Sequence, residues 1–133
     1  MTDKTILRVA SIAGLLSVAL GAFGAHGLKA LVDEKSLAIF DTATRYQMFH
    51  ALALLLVAVQ MKSGSSRFYK YTAISFILGI IFFSGSLYLL AIRSLLGAEL
   101  SWLGPITPLG GLFFIMGWIF LFISASKTSI EAD

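Results

Sequence analysis

A chain of 133 residues has room for one domain, taken here as residues 1–133. A hydrophobic share of 58%, a charged share of 13% and a mean hydropathy of +0.90 exclude an ordinary soluble fold and point to a membrane protein. Cysteine is absent, which excludes disulfides and thiolate chemistry, and the net charge of +3 lies mostly outside the apolar runs, where it reads as orientation and lipid contact rather than nucleic-acid binding.

The first apolar run, residues 6–25, has about the 20 residues a spanning helix needs. Lys4 and Arg8 flank its start, and small residues near its end would also suit a signal peptide. Three later spans and a stripe of Ala10, Gly14, Ser17 and Gly21 argue for a helix instead. That stripe repeats at steps of four, three and four, so it occupies one face and predicts close, central packing of the first helix against a neighbour.

Residues 26–41 turn polar with Lys29, Asp33, Glu34 and Lys35, yet Leu28, Leu31 and Val32 keep helical spacing, which predicts a short interfacial helix or turn. Ser36 is the expected cap of the next helix, whose membrane span is placed at 43–61. Residues 62–70, KSGSSRFYK, read as a tight basic loop. The third span follows at 71–92, with Ser75, Gly79 and Ser86 on one face and Ser84 and Tyr88 on another. Residues 95–103, with Trp102, suit the membrane interface, and Gly104 and Pro105 then break the chain. Thr107 is the expected cap of the fourth span, 107–126, with Pro108 at the first helical position and Gly110 and Gly117 sharing a face.

The expected fold is all-α: a bundle of four transmembrane helices with short interfacial segments in the two outer loops. Six basic residues (Lys4, Arg8, Lys62, Arg67, Lys70, Lys127) lie on the side of the termini and four (Lys29, Lys35, Arg45, Arg93) on the other, which predicts both termini in the cytoplasm.

Polar side chains then gather in the outer half. Thr42, Tyr46 and His50 stack at four-residue steps, with Asp41 and Arg45 as an i,i+4 pair beside them. His50 is expected roughly 10 Å below the start of its helix and Ser84 roughly 12 Å below the end of its own. The candidate ligand-binding set is Arg45, Tyr46, His50, Ser84 and Ser86; the packing set is Ala10, Gly14, Ser17, Gly21, Thr107 and Pro108. Two readings stand side by side. In one, His50 bonds Ser84 or Ser86 across helices and Asp41 neutralises Arg45 at the headgroups. In the other, the cluster lines an outward cavity for a small polar solute or a lipid headgroup. His26 and His50 lie too far apart in sequence for a usual zinc pattern, and no acid is placed to orient His50 for nucleophilic catalysis, so no metal, cofactor or catalytic residue is expected.

The blocks GAFGAHGLKAL from Gly21, TATRYQMFHALALLL from Thr42, FSGSLYLLAI from Phe83 and LGPITPLGGLFFIMGW from Leu103 resemble the small bacterial membrane proteins classed as domain of unknown function 423, related to the transmembrane protein 256 group. The resemblance spans nearly the whole chain. It implies a four-helix protein of the bacterial plasma membrane and supplies no activity. The functional expectation is a non-enzymatic accessory or scaffold protein, its partners being membrane lipids and a second copy or another membrane protein, with no nucleic acid. The alternative is a transporter or channel subunit. All seven acids lie outside the predicted spans, so no carboxylate is available there to couple protons to transport.

Overall fold

A computed structural model of the chain describes residues 1–63 and 66–128. Among them, four helical spans are long and apolar enough to cross a membrane: Asp3–Ala30, Glu34–Lys62, Arg67–Ala91 and Ser101–Ser126. Helix α1 runs Asp3–His26. Thr2 caps it, its hydroxyl accepting from the Thr5 amide at 3.2 Å, with Asp3 favourably placed in the positive first turn. A 3₁₀ turn, Leu28–Ala30, follows.

Helix α2, Glu34–Ser63, begins before its membrane span, as a Ser36 cap would require, but three residues earlier than the start at Leu37 which that cap implies. Asp33 rather than Ser36 caps it, Oδ1 accepting from the Ser36 amide at 2.7 Å. Ser36 thus supplies the amide of the cap, since the run Glu34-Lys35-Ser36 is already helical. The expected short interfacial helix or turn in this loop is the 3₁₀ turn, and α2 absorbs the remainder. At 30 residues α2 is about 45 Å long, so it overruns a hydrocarbon core of about 30 Å. Of the expected basic turn, Gly64 and Ser65 lie outside the described residues.

The third span starts at Arg67, not at 71, because Ser66 caps it through the Phe68 amide. It comprises α3 (Arg67–Gly79), a π-helical segment (Ile80–Ser84) and α4 (Gly85–Ala91). The π turn carries one extra residue and so rotates everything after it by about 100°. This overturns the predicted faces. The buried series Thr72, Phe76, Gly79 continues after a five-residue step to Ser84 and then Ala91, so Ser84 shares the Gly79 face.

A short helix α5, Arg93–Leu96, stops at Gly97, whose φ of 59° is left-handed and natural to glycine. The 3₁₀ turn Ser101–Leu103 leaves Trp102 62% exposed, as an interfacial ring should be. Helix α6, Ile106–Thr128, closes the bundle. Pro108 is its third residue rather than its first, still within the turn whose amides lack helical partners.

Helix α2 is the hub. α1 packs along it on one side and the third span on the other, while α6 packs mainly on the third span. The first helix is therefore peripheral, not central. Its buried stripe is Ile6, Ala10, Ala13, Ser17 and Gly24, which retains Ala10 and Ser17 of the predicted set. Gly14 and Gly21 flank the contact, and a Cβ at either would meet nothing within 4 Å. Close approach occurs at Gly110, which lies on the π-segment backbone at Phe82 and Phe83 and leaves no room for a Cβ.

Two apolar clusters fill the bundle. One, toward the termini, contains Ile6, Leu54, Val57, Tyr69, Phe76 and Phe114; the other, toward the longer loops, is built on Leu28, Phe40 and Ala91. Between them lies a layer of polar side chains.

Candidate functional site

The polar layer sits near the middle of the helices. Gln47 and His50 are 13 and 16 residues beyond Glu34 in the 30-residue α2, and Ala13, Ser17 and Trp118 occupy the middle of α1 and α6. At this depth there is no water to satisfy a polar group, so each must find a protein or lipid partner.

His50 is 4% exposed and held on every side. Its Nδ1 lies 2.7 Å from the Tyr46 carbonyl, which can only accept, so the proton belongs on Nδ1. That leaves Nε2 with a lone pair, and it accepts from the indole Nε1–H of Trp118 at 3.2 Å. The neutral Nδ1–H tautomer satisfies both bonds at once. The imidazole also stacks on Phe114, with centroids 3.5 Å apart and planes at 10°, and meets Phe76 edge-on at 5.1 Å. The expected bond to Ser84 or Ser86 is not formed. The π turn carries Ser86 to another partner and leaves Ser84 without one, and an indole on α6 takes their place.

The remaining candidates separate. Arg45 pairs with Asp41 at 2.5 Å, both side chains 61% exposed, on the fourth and third turns of α2. The two residues straddle position 43, where the span is expected to enter the hydrocarbon. Tyr46 lies half outside the bundle, its ring 4.8 Å from that of Phe83 and stacked at 6.2 Å on His50. Ser86 donates to the Phe83 carbonyl at 3.0 Å and shares a 2.6 Å hydrogen bond with the Thr107 hydroxyl, so Thr107 joins α4 to α6 rather than capping a helix. Among the described residues, Ser84 Oγ is the buried side-chain oxygen left without a partner. Among the described residues no three His, Asp or Glu side chains converge as a metal site would require.

Sequence reasoning left Gln47, Tyr88 and Trp118 out of the candidate set, although they hold the layer together. The Gln47 amide donates from Nε2 to the Ala13 carbonyl of α1 at 2.8 Å, and its Oε1 accepts from Tyr88 Oη of α4 at 2.9 Å. Ser17 of α1 donates to the Thr44 carbonyl at 2.7 Å, a second bond in the same interface. A signal for Trp118 was present: a tryptophan 12 residues into a 23-residue span lies far from the interface that indoles prefer.

Two hollows adjoin the layer. A recess of about 200 Å³ between α1 and α2 is lined by Gly21, Gly24, Phe40, Asp41 and Thr44 among others. A larger lateral groove of about 510 Å³ separates α1 from the third span. His50, Arg45 and Tyr46 line neither one.

Residues 20–111 match the family described as Protein of unknown function (DUF423). The chain is similar to the UPF0382 membrane protein of Haemophilus influenzae (41% identical over 128 residues, 96% of this chain and 98% of that one) and to the UPF0382 membrane protein YwdK of Bacillus subtilis (40% over 126 residues, 93% and 98%). It is also similar to the UPF0382 inner membrane protein YgdD of Escherichia coli, 38% identical over 127 residues, 96% of this chain and 93% of that one. No solved structure matches it. Four spans, a matched family region covering most of the chain and relatives aligned nearly end to end place this membrane protein in the DUF423 family.

Proposed function

We propose that this is a non-enzymatic accessory protein of the bacterial plasma membrane, acting through its helix surfaces on a second copy or another membrane protein. The observation that carries this reading is how the intramembrane polar groups are used. Both nitrogens of His50, both ends of the Gln47 amide, and the Ser17, Ser86 and Thr107 hydroxyls are bonded within the bundle, as interhelical glue would be. A catalytic or transport site holds such groups ready for substrate instead. The plasma membrane follows the inner-membrane relative, and the six-to-four bias in basic residues supports both termini in the cytoplasm.

The alternative, a transporter or channel subunit taking a small polar solute or lipid headgroup, finds support in the small recess beside Asp41 and Thr44. Site-specific photo-cross-linkers in native membranes separate the two. Positions Leu15 and Val18 on α1, and Ile115 and Phe122 on α6, all present exposed apolar side chains. The accessory reading expects a discrete protein adduct from one of these faces; lipid adducts alone from all four positions would end it.

A further inference from the structure

We infer that the lateral groove between α1 and the third span is a binding site for a neutral long-chain lipid bearing a free hydroxyl, held by Gln47 and Tyr88. The groove is lined by Val9, Ile12, Leu16 and Leu20 on one wall and by Ile77, Ile80 and Ile81 on the other, with Gln47 and Tyr88 also facing it. From Val9 to Leu20, and in parallel from Ile77 to Tyr88, it runs for about 16 Å along the helices. Every lining residue belongs to a membrane span, so the groove is reached from within the bilayer. Its volume of about 510 Å³ suits a ligand site, and branched aliphatic walls with few polar groups suit a flexible hydrocarbon chain.

Hydrocarbon alone leaves part of the site unanswered. An amide carries two N–H groups, and among the described residues Gln47 uses Nε2 once, on the Ala13 carbonyl. A phenol has one proton, and Tyr88 gives it to Gln47 Oε1, which leaves the lone pairs of Tyr88 Oη open. The groove therefore carries a spare donor beside a spare acceptor within the membrane span, where an unmet polar group costs free energy. A hydroxyl answers both, accepting from Gln47 and donating to Tyr88. A quinone or ester carbonyl answers only the first, and a plain acyl chain neither. This inference is separate from the accessory reading, since a partner on an outer helix face neither requires nor forbids a lipid here.

The test uses the full chain in nanodiscs with a long-chain alcohol bearing a diazirine, and the methyl ether of the same alcohol as its control. Labelling by the alcohol is expected in the peptides containing Ile12–Leu20 and Ile77–Tyr88, with labelling by the ether at least threefold weaker. Gln47→Leu combined with Tyr88→Phe, which removes the donor and both acceptors facing the groove, should bring labelling by the alcohol and by the ether to the same level. Equal labelling by alcohol and ether would reduce the groove to ordinary lipid solvation and overturn the proposal. So would labelling confined to other peptides, or a Val9-to-Ile81 cross-link joining two copies of the chain.

Discussion

Alanine substituted at two glycines should move stability in opposite directions. At Gly14, half-buried beside the α1–α2 contact, an added Cβ meets nothing within 4 Å. The only sizeable term is conformational, because alanine favours the helical backbone over glycine by about 0.5–1 kcal/mol. Gly14→Ala should therefore stabilise the protein by up to that amount, and Gly21→Ala likewise. At Gly110 the same Cβ runs into Phe83 N and Cα and Phe82 C, which are backbone atoms of the π segment and cannot rotate aside. Helix α6 must then lift off the third span. Overpacking of this kind costs about 1–3 kcal/mol, and the propensity gain offsets less than 1 kcal/mol of it.

The two variants should thus differ by about 1–3 kcal/mol, since the propensity gain is common to both and cancels. Reversible unfolding in bicelles, with wild type alongside, measures the difference directly. Gly117→Ala should fall between them, because its Cβ meets the Phe76 ring, which can yield by moving. If Gly110→Ala unfolds no more readily than Gly14→Ala, the direct backbone contact between α6 and the π segment is wrong.

Further expectations follow from the polar layer and the caps. A double-mutant cycle on His50 and Trp118 should give a coupling of about 0.6 kcal/mol, at most about 1.7, while a cycle on His50 and Ser84 gives none within error. The Ser36 amide bonding its carboxylate, helped by Lys35 and Arg93, holds the Asp33 carboxyl below its ordinary range. This stabilisation is complete above the unfolded-state value and is lost as pH falls through the lower folded one. Hydrogen-exchange protection at the start of α2, relative to the intrinsic rate at each pH, should accordingly fall in acid, and Asp33→Ala should remove that dependence at α2's first turn. Reporter fusions after residue 128 and at Lys62 should both read cytoplasmic, and an external signal from either would reverse the orientation.

Hydrophobic run length was enough to read the four spans, because spanning a bilayer is a demand on length and composition alone. Helix ends were less legible. Asp33 and Ser66 lie outside the apolar runs, and a cap works on hydrogen bonds that hydropathy does not register. The Asp41–Arg45 pair was visible because it is local, one helical turn apart. His50 was visible as a polar residue deep in hydrocarbon, but its partner was not, since choosing between Ser84, Ser86 and Trp118 requires the rotation of the third span. That rotation depends on the π segment, and any projection at 3.6 residues per turn misplaces every residue beyond Gly79. The glycines of α1 were misread for a different reason. Small residues permit close approach without requiring it, and only the position of a neighbour distinguishes Gly14 from Gly110.

In a bilayer, burying apolar surface does little to draw helices together, because lipid tails are as apolar as leucine. What positions α1 must therefore be packing of small side chains and the bonds it makes to α2. Among the described residues those bonds are two, Ser17 to the Thr44 carbonyl and the Ala13 carbonyl to Gln47, and both end on backbone groups. A backbone carbonyl fixes the axial position of a helix more directly than a flexible side chain would. At a net value near 0.6 kcal/mol each they add little to stability, so their main consequence is register. Gln47 then has a double role, since its nitrogen holds α1 and its oxygen holds α4 through Tyr88. The distance between the two walls of the lateral groove is set by the span of one amide side chain. A substitution there should alter the groove and the seating of α1 together, which is why labelling by the ether, which reports whether the groove survives, accompanies any variant of Gln47.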